Sequence, residues 1–295
     1  MLKSACGHGY LGVAKWLENI FFNVFMKSFE ISYNDILLAA CSHGHLEVVE
    51  WLLRTFEFTS DDIRSSNNGI FRETCRNGHL EVAKLLNDFD PIPSGAKPVD
   101  NDTLLHICKE GHLETAKWLK ESFNFTREDF RSDHDYAFRN SCNSEKIEVA
   151  VWLTETFGIT REDAIMDNNI LFASICGDGN LKMAKWFART FNLTPADVSI
   201  HRNRALKWSC VEEHLRVAKW LVKEFGFTGH NLKYDRYILL KDACVNGHLE
   251  VARWLAKKFR FTTEELSLLD DGILEENIRK GRIDMVEWLT SFKHA

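Results

Sequence analysis

The sequence predicts an all-α solenoid of about nine helix–turn–helix repeats. Three observations carry that expectation. A short stretch recurs at intervals of 33–35 residues, all eight cysteines fall in one slot of it, and eight of the nine tryptophans fall in another. Self-similarity at such a period marks a stack of units, each burying its apolar face only against its neighbours.

The stretch opens the chain as "CGHGYLGVAKWL" (6–17) and returns as "CSHGHLEVVEWL" (41–52), "CRNGHLEVAKLL" (75–86) and "CKEGHLETAKWL" (108–119). It continues as "CNSEKIEVAVWL" (142–153), "CGDGNLKMAKWF" (176–187), "CVEEHLRVAKWL" (210–221) and "CVNGHLEVARWL" (244–255). A ninth copy, "IRKGRIDMVEWL" (278–289), has Ile278 in the cysteine slot.

Each unit begins with Asn or Asp seven residues before that slot: Asn34, Asn68, Asn101, Asp135, Asn169, Asn203 and Asp271. These residue types favour the N-cap, where the side chain accepts a free backbone N–H. The first helix then runs to the glycine matching Gly44, Gly78 and Gly111, which permits a left-handed turn. The second helix runs through "HLEVAKWL" to a phenylalanine such as Phe56, Phe123 or Phe225. It is apolar on two faces, as expected of a helix sandwiched between neighbours. After it come "FTSDD" (58–62), "FTRED" (125–129), "ITRED" (159–163), "LTPAD" (193–197) and "FTTEE" (261–265). Thr followed three residues later by an acid is a capping box, so each unit gains a short helical turn before the next.

The register disposes of two chemical readings. Gly7-His8-Gly9-Tyr10-Leu11-Gly12 has the form G-x-G-x-x-G, but Gly9 is the repeat's turn glycine and Gly12 stands where other copies have Glu. A dinucleotide loop also needs a preceding strand, and too few residues precede it here. The cysteines follow Leu37, Phe71, Leu104, Phe138, Phe172, Leu206 and Leu240 by one helical turn, the spacing of a buried face. Free cysteine there acts as a small hydrophobe. Equivalent helices about 8–10 Å apart hold these thiols beyond the ~7 Å Cα limit of a disulfide. Eight unpaired thiols place the chain in a reducing compartment, cytoplasmic or nuclear. His45, His79, His112, His214 and His248 share one slot and are expected to open the second helix and bond to neighbouring backbone. Stacked equivalents cannot converge on one ion, so no metal and no cofactor is expected.

A helix–turn–helix unit of about this length whose second helix opens "GHLEVAKWL" resembles the ankyrin repeat, over essentially the whole chain. The family's Thr-Pro-Leu-His start is absent; Thr103-Leu104-Leu105-His106 is similar, but His106 lies one residue too close to Gly111. Capping-box turns stand where the family has β-hairpin fingers. The combination looks like the divergent ankyrin proteins of large DNA viruses of amoebae and some protists. The resemblance implies an ankyrin-type solenoid over 1–295, with no enzymatic activity, that binds a protein partner through the concave face of its first helices.

By helical geometry that face lies opposite Leu37 and Cys41. In the first half it carries Arg72, Arg76 and Asn77, then His106, Lys109 and Glu110, then Arg139 and Asn143. In the second half it carries Asp178, then Lys207, Trp208, Val211 and Glu212, then Lys241, Asp242 and Asn246. Trp208 departs from the tryptophan slot, and exposed Trp is enriched at binding hot spots; leaning onto a neighbouring helix is the alternative. Arg72, Arg139, Lys207 and Lys241 share a slot, forming a basic stripe or pairing with acids such as Asp62 and Asp129.

The segment 87–102 holds three of the four prolines and interrupts repeat three, as a partner-contacting loop or a tolerated insertion. Residues 271–295 read as a polar C-terminal cap. Repeat one starts inside its first helix, with Leu2, Ala5 and Cys6 in core slots and nothing upstream to cover them; that end is expected to be frayed, truncated or covered. The chain is expected to be monomeric unless that uncapped repeat pairs. A net charge of −6 argues against nucleic acid and anionic membrane, and no apolar run approaches the roughly 20 residues of a membrane helix. No P-loop, G-x-S-x-G or H-E-x-x-H is present. A second reading is an architectural component of a larger assembly, viral if the resemblance extends to origin, with no dedicated concave ligand.

Overall fold

The computed structural model describes residues 1–24, 32–93, 95–232, 235–269 and 271–292, with backbone only at 21–24, 65–67 and 271. Those residues form 23 helices and no strand. The helices group into two compact units, Met1–Gly158 and Ile159–Ala295.

In the first unit the helix pairs follow the repeat. Leu2–Gly7 is paired with Leu11–Val24, Tyr33–Ser42 with Leu46–Thr55, and Ser60–Arg76 with Leu80–Phe89. Asn101–Glu110 is paired with Leu113–Ser122, and Ser132–Asn143 with Ile147–Phe157. The second unit continues with Met166–Gly177 and Leu181–Thr190, Ile200–Val211 and Leu215–Glu224, Asp235–Asn246 and Leu249–Lys258, and Asp271–Arg279 and Ile283–Thr290. Short helices such as Arg127–Phe130, Arg161–Ala164 and Pro195–Val198 stand before the first helices of successive repeats, each opened by the expected Thr…Asp capping box.

The Asn/Asp slot behaves differently from its expected capping role. Asp133, His134 and Asp135 are left-handed, with φ of 51°, 56° and 58°, and so are Asp167–Asn169 and His201–Asn203. Asn68 has the same sign of φ. This left-handed turn, between the short helix and the first helix proper, is where Asn68, Asp135, Asn169 and Asn203 sit. Asn and Asp tolerate that conformation better than other non-glycine residues, so one preference served two explanations. Two of these side chains bond outward instead of capping: Asn169 Nδ2 donates to the Asp197 carbonyl (3.2 Å) and Asn203 Nδ2 to Asp235 (2.8 Å). In repeats two and four the N-caps are Ser32 and Asp100, one or two residues earlier than expected. The side chain of Asp271 lies outside the described residues.

All eight cysteines are free and buried. The carbonyls of two of them face the following repeat: Ser141 Oγ donates to the Cys108 carbonyl (3.2 Å) and Asn277 Nδ2 to that of Cys244 (2.9 Å). That direction corrects the reading of the first repeat. Leu2, Ala5 and Cys6 are buried, because their slots face the helix Tyr33–Ser42. The side left open is the second helix, where Val13 and Trp16 are 48% and 62% exposed, and Tyr10 just before it is 60% exposed. At the other end Ile278, in the same slot as the buried cysteines, is 58% exposed. The acids and bases beside it pair locally, Glu276 with Arg279 (2.6 Å) and Lys280 (2.8 Å).

The irregular segment is tied down at both ends. Arg64 holds Asp90 with Nε at 2.7 Å and Nη2 at 2.8 Å, and Lys97 Nζ reaches both oxygens of Asp129 at 2.6 Å. Asp100 then caps the helix Asn101–Glu110. Ser94, inside this segment, and residues 293–295 of the expected cap lie outside the described residues.

Candidate partner-binding surface

The turns that carry the first helices are locked by one interaction repeated along the chain. Four of the five histidines that open second helices, His45, His79, His112 and His214, lie over the turn glycine of the preceding repeat. Histidine Nε2 donates to the carbonyl just after the cysteine slot: His45 to Gly7 (3.0 Å), His79 to Ser42 (3.0 Å) and His248 to Val211 (2.7 Å). The histidines thus start helices and bond to neighbouring backbone, as their register implied. Arg282 makes the same bond to Val245 through Nη1 (2.8 Å), and the Lys146 stem covers Gly111. Burial, first, holds His112 below its ordinary pKa, so it packs as neutral imidazole. Among the described residues no group of three or more His, Cys, Asp or Glu could hold a metal ion.

The thiols offer no nucleophile. Burial pushes Cys6 up to about 11 and Cys108 and Cys244 up to about 12. Thiolate, the reactive form, is thereby suppressed.

In the first unit Arg76, Lys109, Glu110 and Asn143 are exposed, and Arg72, Asn77, His106 and Arg139 are half-buried. Asn77 is a structural donor, its Nδ2 reaching the Ser42 carbonyl at 3.0 Å. Arg72 pairs with Asp100 (3.2 Å), which sets aside Asp62 as its partner. Asp62 is instead bonded to Thr59 and Asn34, and Asp129 to Thr126 and Lys97. Burial, the largest influence, lowers the pKa of His106, aided by the charge of Arg76.

The second unit gathers its residues more closely. Trp208 is half-buried, its Cβ lying 3.2 Å from where a Cβ on Gly177 would stand. Glycine at that slot of the preceding repeat is what lets the indole root between two first helices. The Arg204 guanidinium lies 5.7 Å from the ring centre, a cation–π distance. Trp208 therefore leans one edge onto the neighbouring helix and remains half-buried.

Two hollows flank the indole. One, of about 300 Å³, is lined by His201, Arg202, Arg204, Lys207, Trp208, Asp235, Ile238 and Leu239. The other, of about 530 Å³, is lined by Asp178, Lys207, Trp208, Val211 and Glu212 among others. Lys207 pairs with Asp242 at 3.2 Å. Asn246 Nδ2 donates to the Asp242 carbonyl one turn back (2.9 Å), and neither Asn246 nor Lys241 lines either hollow.

Residues 37–129 match the family model of ankyrin repeats, in 3 copies. The solenoid is of the ankyrin type. The match begins at Leu37 and ends at Asp129, so it spans repeats two to four and the first capping-box helix after them, within the first unit. No curated protein matches the chain. None of the helices, among the described residues, is long and apolar enough to cross a membrane.

Register reasoning missed Arg204, which lies three residues before the slot that Lys207 shares with Arg72, and Gly177, which fills the slot that Val211 fills in the next repeat. Arg202 carried no such signal. It reaches the hollow from the left-handed turn, which the pattern of Asn and Asp disguised as a cap.

Proposed function

We propose that the chain is a non-enzymatic interaction scaffold that binds a protein partner through the exposed side of its first helices. Ankyrin repeats are protein–protein interaction modules, and the observation that supports this face is Trp208. It is a large aromatic on the helix-one surface, outside the slot that every other tryptophan fills, with a hollow on each side. Tryptophan contributes heavily when a partner covers it and excludes water. Buried thiols of raised pKa and backbone-bonded histidines leave the repeat's reactive residue types in structural roles. We place the scaffold in a reducing intracellular compartment, where eight free thiols are stable.

Crosslinking pull-downs from cytosol with the wild type and with Trp208→Ala/Lys241→Glu test this reading. A partner identified by mass spectrometry should be retained by the wild type and lost by the variant, whose circular dichroism stays unchanged. Equal capture by both removes the helix-one face of the second unit from the reading. The architectural alternative draws its support from the exposed Tyr10, Val13 and Trp16. It requires a partner lost on Trp16→Ala and retained on Trp208→Ala.

A further inference from the structure

The two hollows beside Trp208 differ in charge, and that difference restricts what can lie across them. In the first, between the helices Ile200–Val211 and Asp235–Asn246, Arg202 and Arg204 have no carboxylate partner among the described residues. Lys207 is already paired with Asp242, and Asp235 is engaged by Asn203. The second hollow, shared with the helix Met166–Gly177, presents the exposed Asp178 and Glu212. Ser174 Oγ donates to Asp178 at 3.5 Å, the long limit of a hydrogen bond, so that carboxylate keeps most of its accepting capacity. The indole forms the ridge between a cationic and an anionic hollow.

We infer that Trp208 is the platform of a peptide groove in the second unit, taking a partner segment with an acidic side chain in the Arg202–Arg204 hollow and a basic one in the Asp178–Glu212 hollow. The inference rests on the reading of the helix-one face as a binding surface. An apolar or aromatic residue of the segment packs on the indole, where Arg204 already stiffens one face of the ring. A guanidinium pair favours a carboxylate that can accept bidentate bonds. Nucleic acid fits poorly, because a continuous run of phosphates would have to cross Asp178 and Glu212. The charge order also fixes the direction in which the segment runs, since the reversed segment sets like charges together.

The test pans a displayed library of random peptides of about twelve residues, about 40 Å when extended, against the full chain. Recovered peptides should combine Asp or Glu with Lys or Arg around an apolar residue, and their binding should weaken as salt rises. Trp208→Ala should weaken them by about tenfold or more. Arg202→Glu/Arg204→Glu should do the same, and exchanging the peptide's acidic residue for Lys should restore binding to that variant alone. Circular dichroism confirms that each variant is folded. Recovered peptides lacking the charge pair, indifference to the arginine reversal, competition by a single-stranded RNA oligonucleotide, or no recovered peptide would each overturn the inference. Loss of binding on Trp208→Ala without response to the arginine reversal sinks the charge assignment and leaves the helix-one reading standing. A pull-down partner indifferent to Trp208→Ala/Lys241→Glu sinks that reading itself.

Discussion

Gly44 shows how tightly single positions are specified. Its φ of +74° lies in the left-handed region, and a Cβ there would stand 2.4 Å from Nδ1 of His79. Gly281 has a similar φ of +67°, but a Cβ there would meet nothing. The two glycines separate backbone strain from packing. Gly281→Ala should cost only the left-handed penalty, about 1–2 kcal/mol. Gly44→Ala should cost about 1–2 kcal/mol more, because it also displaces the imidazole and its bond to the Ser42 carbonyl. Urea unfolding of the two variants gives the comparison directly. Equal losses would mean that the histidine over the glycine contributes nothing. Gly177 plays a third part: it has no positive φ to satisfy, and its missing Cβ makes room for Trp208.

At the level of the element, the histidine joint between repeats makes stability depend on pH. Burial lowers the pKa of His112, and of His106, below the ordinary 6.5. Protons then bind the unfolded chain more readily, so the stability from these groups is complete above pH 6.5 and is lost as pH falls toward the folded values. Asp129 and Asp197 have depressed pKa values too; burial opposes the shift, but bonds to Lys97 and Thr126, or to Thr194 and Arg161, outweigh it. Their contribution is lost only below the ordinary carboxylate value of 3.8, so the two windows separate. The natural occupant Lys146 shows that a lysine stem fits this slot. His112→Lys should therefore fold and flatten the fall in urea midpoint between about pH 6.5 and 5, with His106 supplying what is left of the slope. An unchanged slope would remove His112 as its source. These joints were legible in the sequence because the histidine recurs in one slot of five copies. The three-residue left-handed turn was not, because Asn and Asp favour both that conformation and the N-cap. The Trp208 site was half legible: its slot marked Trp208 as unusual, while one of its hollows depends on Arg202, which no periodicity singles out.

On the scale of the whole chain, the cysteines report how the stack opens. Each repeat is held by its neighbours alone, so terminal repeats should open at lower free energy than inner ones. A thiol reacts only when its repeat opens, because burial suppresses the thiolate in the closed state. Cys6 lies in the first repeat and is raised only to about 11, whereas Cys142 and Cys176, in inner repeats, are raised well beyond the ordinary value of 9.0. Under native conditions Cys6 should therefore be labelled first by a thiol reagent, and Cys142 and Cys176 last, as followed by mass spectrometry of the digested protein. In denaturant all eight should react together. A single rate for every thiol under native conditions would mean that the chain opens as one cooperative body, and a fast inner thiol would place a weak joint between the repeats that flank it.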